Sequence, residues 1–169
     1  MIRLQINNIK DFMNHLFIKN SFDWLDLVEA VLVKEYTLTM EGKRNYPKEE
    51  TSSLEPEEKV GGRVGSEYLS YQEMRPLLLN HIRGKKTPQM IRMTLSLPAE
   101  KLEKRTENAF AAEKSEIEHF LLNIRFDRQG LTLITGVSYR KFSMEKDKER
   151  LWDDYLKEFL IKEEIAFEQ

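Results

Sequence analysis

Residues 2–40, IRLQINNIKDFMNHLFIKNSFDWLDLVEAVLVKEYTLTM, read as a short strand, an amphipathic helix and two further strands. Ile2 to Ile6 forms the strand. In the helix, Ile9 to Phe17, Ile9, Phe12, Met13 and Leu16 fall at i, i+3, i+4 and i+7, and Asn7 or Asn8 is placed to cap it. Trp24 to Val33 is β-rich, and its alternating Val28, Ala30 and Leu32 suit one buried face. A turn at Lys34-Glu35 returns the chain through Tyr36 to Met40, and Gly42 closes the unit. The same order recurs as Tyr68 to Tyr71, Met74 to Arg83, Met90 to Leu97, then Phe120 to Phe126 with Leu131 to Tyr139. A duplicated strand–helix–strands unit points to an α+β fold with a mainly antiparallel sheet.

Working outward, residues 46–66 combine Pro47, Pro56, Gly61, Gly62 and Gly65 with many acids, which predicts a mobile loop. In the second helix Ser70 and Glu73 resemble a capping box, but Pro76 would then lie too deep, so a later start is expected. Met74, Leu77, Leu78 and Ile82 form its apolar face, and His81 falls between Met74 and Leu77 in angle, which predicts a buried, hydrogen-bonded side chain. Residues 99–118 read as a charged helical insertion anchored by Leu102, Ala109, Phe110 and Ile117. His119 to Tyr139 is a hairpin turning at Asp127-Arg128-Gln129-Gly130, with an irregularity expected at Gly136. Ser143 is placed to cap a last helix whose stripe is Leu151, Trp152, Tyr155, Leu156, Phe159 and Leu160. On that helix Asp153 and Lys157, and Glu158 and Lys162, are spaced to pair at i, i+4. The organisation is thus a duplicated α+β domain over 1–142, with 143–169 packed on it as a C-terminal helix.

With 40% hydrophobic and 33% charged residues, the chain can build a core beneath a highly charged surface. It has no cysteine, which excludes disulfides, thiolate metal sites and cysteine nucleophiles. The start has no apolar signal core and no run approaches the length of a bilayer span, so a cytoplasmic chain with no membrane partner is expected. The net charge of −2 hides segregation: Met74 to Pro98 holds five basic residues and no acid, whereas acids crowd 46–73 and the C-terminal tail.

Local motifs for chemistry are few. Gly84-Lys85-Lys86-Thr87 has the end of a phosphate-binding loop, but Leu79 stands where that loop needs a glycine, and the glycine follows a helix instead of preceding one. His15, His81 and His119 are scattered and lack partners at metal-ligand spacing, so no metal or cofactor is expected. Asp23, Asp26 and Glu29, like Asp153 and Asp154, read as solvated surface. No serine sits in a G-x-S-x-G elbow. Trp24 and Trp152 read as core or edge anchors, and no catalytic residue is assigned.

Two resemblances add to this reading. Phe22-Asp23-Trp24, Leu27-Val28-Glu29-Ala30, Arg75-Pro76, Gly84-Lys85-Lys86-Thr87-Pro88, Leu122-Asn123-Ile124-Arg125, Thr135-Gly136 and Trp152-Asp153-Asp154 resemble a family of bacterial proteins of unknown function. That similarity spans most of the chain and implies no activity. The repeated unit, with Thr37-Leu38 and Thr132-Leu133 before Gly42 and Gly136, resembles one domain of a ring-shaped DNA sliding clamp. In such domains both helices face DNA, which points to Lys10, Lys19, Arg75, Arg83, Lys85 and Lys86 as contacts for nucleic acid or an acidic partner. The chain departs from that pattern in supplying one domain where a ring needs several, and in its insertion and last helix. A non-enzymatic interaction or assembly module, binding a protein partner or itself, is the expected function, with clamp-like nucleic-acid association as the alternative.

Overall fold

The computed structural model describes residues 1–45, 67–105, 116–140 and 146–169, with backbone alone at 103–105. β1 (Arg3–Ile6) leads into α1 (Ile9–Met13), capped by the Asn8 side chain, which accepts from the Asp11 N–H. The helix continues as one π-helical turn, Asn14–Ile18, closed by the Lys19 N–H on the Asn14 carbonyl at 2.8 Å. β2 (Asp26–Val33) and β3 (Thr37–Glu41) form a hairpin, and β4 is only Leu69–Ser70. Then follow α2 (Tyr71–Ile82), β5 (Met90–Pro98), α3 (Ala99–Arg105), β6 (Ile117–Asp127), β7 (Gly130–Tyr139), α4 (Asp147–Lys162) and β8 (Phe167–Glu168). The fold is mixed α+β around an open antiparallel sheet of order β3-β2-β5-β6-β7-β1-β8, with β4 beside the start of β2. Of the two units read from the sequence, the first ends at the edge strand β3, whereas β5 of the second continues into β6 and β7 at the sheet's centre.

Registered positions explain the core. Leu4, Leu133, Ile124, Met93 and Ala30 lie side by side across five strands, all buried. One residue along, Gln5, Thr132, Arg125, Arg92 and Val31 line the opposite face, where polar side chains dominate. Residues of α1, α2 and α4 join the buried row in one cluster. Their aromatic rings interlock: Phe22 lies 5.5 Å from Phe12 and 5.3 Å from Phe159, and Trp24 packs edge-on against Trp152, Tyr155 and Phe159. Such pairs add about 0.5–1.5 kcal/mol each beyond area burial.

Strict alternation fails in two strands. In β2 the register shifts between Leu27 and Glu29, so Leu27, Ala30 and Leu32 point inward and Val28 is the half-buried extra residue rather than a core position. In β6 the shift falls between Ile117 and His119, while Gly136, where an irregularity was expected, pairs regularly with Leu121. Both shifts flank the C-terminal end of β5.

The helices bring further corrections. α2 starts at Tyr71, because Ser70 and Glu73 complete the capping box in both directions, and Pro76 is tolerated inside the helix. Tyr71, Met74 and Leu78 are its buried residues; Leu77 is 50% exposed, and His81 is exposed rather than buried. Including Tyr71 and dropping Leu77 turns the centre of the apolar face by roughly 30° away from His81, which then falls just beyond Met74 at its margin. α3 covers Ala99–Arg105 of the expected 99–118 insertion, Ala109 and Phe110 lie outside the described residues, and Ile117 and Glu118 belong to β6. Ser143 and the 46–66 loop lie outside the described residues; α4 begins at Asp147 after Lys146, which provides no side-chain cap.

Asp153 is buried, not a surface partner of Lys157: it accepts from Thr135 Oγ1 at 2.5 Å and from the Met1 amino group at 2.9 Å. Asp26 is buried as well, 3.5 Å from Lys101 Nζ, which also departs from a solvated-surface role. Tyr139 donates to Glu149 at 2.7 Å, tying β7 to α4. Burial, then that carboxylate, pushes its phenol up from 10.0 to about 12.

Gly42 sits where the bulge forces close approach. Its N–H donates to the Val28 carbonyl and its own carbonyl accepts from Leu69, so a Cβ there would lie 1.7 Å from the Leu27 carbonyl oxygen. Gly42→Ala should therefore cost about 2 kcal/mol or more in urea unfolding, whereas Gly136→Ala, whose nearest contact would be 3.7 Å, should change little. Because the folded Tyr139 holds its proton more tightly than the unfolded chain, its contribution to stability is full below pH 10 and disappears as pH rises through about 12. Alkaline unfolding curves of Tyr139→Phe should show a shallower loss over that window than the parent.

Candidate functional site

Three polar constellations stand out, two at opposite ends of β5 and one beside the π turn. The first is the C-terminal end of α2. Gly84, with φ of +137°, turns the chain out of the helix, a conformation suited to glycine. Lys34, from the β2–β3 turn, donates to the carbonyls of His81, Ile82 and Arg83 at 2.9, 3.3 and 3.4 Å. One lysine therefore caps these free carbonyls and meets the negative end of the helix dipole. Arg83 and Lys85 are exposed beyond it, and Lys86 pairs with Glu35. Tyr36, 51% exposed, meets His81 edge-on with its hydroxyl 3.4 Å from Nδ1, and Leu77 lies one turn back along α2.

The six cations singled out from the sequence do not form one surface. Arg75 is a tie between elements: its Nε and Nη2 grip both Asp23 carboxylate oxygens at 2.9 Å, and Nη1 donates to the Ile18 carbonyl at 3.1 Å. Lys19 donates to His15 Nε2 at 2.9 Å. Lys10 is exposed on α1, while Arg83, Lys85 and Lys86 follow the far end of α2.

The second constellation surrounds the π turn. His15 is buried there, with Nδ1 2.8 Å from Ser21 Oγ, and Ser21 donates to Glu163 Oε2 at 2.6 Å. A cleft of about 520 Å³ opens beside these residues, Lys19 and Lys162. Because Lys19 is a donor, His15 Nε2 must accept, and its proton sits on Nδ1 facing Ser21. Histidine then donates to serine and serine to carboxylate. A nucleophile–base pair runs the other way, with the imidazole accepting the hydroxyl proton. This chain of bonds ties the end of α4 to the π turn.

The third lies at the other end of β5. Glu67, Glu118 and His119 present ligand atoms within 4.8 Å of one another, with His119 Nε2 3.7 Å from Glu67 Oε2. Tyr68 packs edge-on against the imidazole at 5.6 Å, and burial, followed by the Glu67 and Glu118 charges, raises its phenol above the usual value. Sequence reading passes over this group because adjacent strand residues face opposite ways. The register shift at Glu118 breaks that rule, and Glu67 arrives from a distant segment that enters β4.

Residues 15–168 match DUF5721, a family of unknown function, and the chain belongs to that family. No curated protein and no solved structure matches it. No helix among the described residues is long and apolar enough to cross a membrane.

Ser21→Ala should leave His15 and Glu163 without their shared partner and lower stability by about 1–3 kcal/mol. Urea unfolding, with far-UV circular dichroism to confirm the native fold, measures this.

Proposed function

We propose that this chain is a non-enzymatic interaction module that docks an acidic, partly apolar polypeptide segment at the C-terminal end of α2. One observation carries the reading. The need for positive charge at that helix end is met by Lys34, which leaves Arg83 and Lys85 exposed, with no side-chain partner among the described residues. Beside them Tyr36 and Leu77 offer exposed apolar area, and an aromatic ring next to arginine is the composition of protein-binding anchors.

A specific arrangement also favours a second reading, clamp-like association with nucleic acid. β2 and β5 each follow a helix and pair antiparallel, as two related halves would, and α1 and α2 bury side chains in the same cluster. Of the six candidate cations, however, Arg75, Lys19 and Lys86 are engaged within the chain, leaving Lys10, Arg83 and Lys85. Three phosphate contacts correspond to a log–log salt slope of only about −3 on duplex DNA.

Fluorescence anisotropy separates the two readings, using a labelled peptide of alternating Glu and Leu residues and a labelled duplex at low salt. The peptide should bind, and the double substitution Arg83→Glu, Lys85→Glu should weaken it about tenfold or more while shifting stability by less than ~0.5 kcal/mol. Absence of peptide binding would refute docking, and duplex binding with a slope near −3 would establish the second reading.

A further inference from the structure

We propose that Glu67, Glu118 and His119 form a binding site for a first-row divalent transition metal such as Zn²⁺. Two independent features of the fold converge on it. The register shift at Ile117/His119 makes Glu118 an extra residue in β6, so that it and His119 present ligand atoms together instead of facing opposite sides of the sheet. Glu67 is delivered by the segment entering β4, fixed by the Arg44 N–H on the Glu67 carbonyl at 3.0 Å and by the Lys43–Tyr68 bridge.

The second feature is the state of the imidazole. His119 Nδ1 is buried with no hydrogen-bond partner among the described residues, and Nε2 reaches Glu67 only at 3.7 Å, beyond hydrogen-bond length. A buried imidazole nitrogen without a partner costs about 1–3 kcal/mol, and the two carboxylates gathered on the Nε2 side of the ring repel one another. Lys43 reaches Glu67 Oε1 at 3.7 Å but is 67% exposed, so it relieves little of this. A divalent cation takes the Nε2 lone pair and neutralises both carboxylates at once.

The donor set selects the metal class. One imidazole nitrogen with two carboxylates suits zinc and its first-row neighbours, whereas calcium and magnesium favour all-oxygen shells. Three protein ligands also leave a coordination position open to water. The ligand atoms need only modest contraction, by rotation of the two glutamates, to reach ligand distances of about 2.0–2.2 Å around a common centre.

The test uses the chain after EDTA treatment and buffer exchange. Isothermal titration with ZnCl₂ should give one equivalent, bound far more tightly than MgCl₂. CoCl₂ should develop visible absorption bands diagnostic of its coordination number. Glu118→Gln and His119→Ala should each weaken Zn²⁺ by at least the roughly tenfold that loss of even a supporting partner costs. Glu118 is half-buried, so its glutamine variant keeps the experiment readable if His119→Ala fails to fold. His15→Asn and His81→Ala should leave the affinity unchanged. Stoichiometric binding that survives Glu118→Gln, or that is lost in His15→Asn or His81→Ala instead, overturns the assignment, as does the absence of a stoichiometric Zn²⁺ equivalent.

Discussion

The whole arrangement depends on burying one face of the sheet. With α1, α2 and α4 contributing to a single apolar cluster, each long strand must send alternate side chains inward and accept polar groups on the reverse. That demand fixes register, because a slip of one residue would carry Leu133, Ile124 and Met93 out of the core together. It also makes any break in alternation conspicuous. The two breaks stand on either side of the end of β5, where Asp26 and Ser96 are buried and His119 is largely so. One of the three polar groups, that of Glu67, Glu118 and His119, gathers where the sheet stops being regular.

Much of this was legible in the sequence wherever a pattern was long and local. The α4 stripe places Trp152, Leu156 and Leu160 in the core as its spacing predicts, and the β6–β7 hairpin turns where Asp127 to Gly130 says it should. Gln129 N–H donates to Asp127 within that turn, and this bond lowers the Asp127 carboxyl below its usual range. The family likeness read from short motifs agrees with the match over residues 15–168.

Other features depend on partners far away in the chain. Asp153 is drawn inward by Thr135 and the Met1 amino group, neither of which its own helix announces. Arg75 looks like a free cation until Asp23 and the Ile18 carbonyl hold it. α2 shows how sensitive an angular argument is to its end residues: assigning Tyr71 to the preceding strand was enough to place His81 inside. The glutamate and histidine group needed a bulge, and bulges leave no periodic signal of their own.

The pairing of β1 with β7 has a kinetic side. Arg3 lies beside Ile134, and Gln5 beside Thr132, so the strand made first finds its neighbour among those made late. Closing so long a loop carries an entropic penalty before any contact rewards it, and chains rich in such distant pairings fold slowly. During synthesis β1 therefore emerges with no strand to join until β7 has left the ribosome, while the β2–β3 hairpin can close at once. β1 is thus a late addition to the sheet, and β8, which pairs with β1 alone, can join only once β1 is in place.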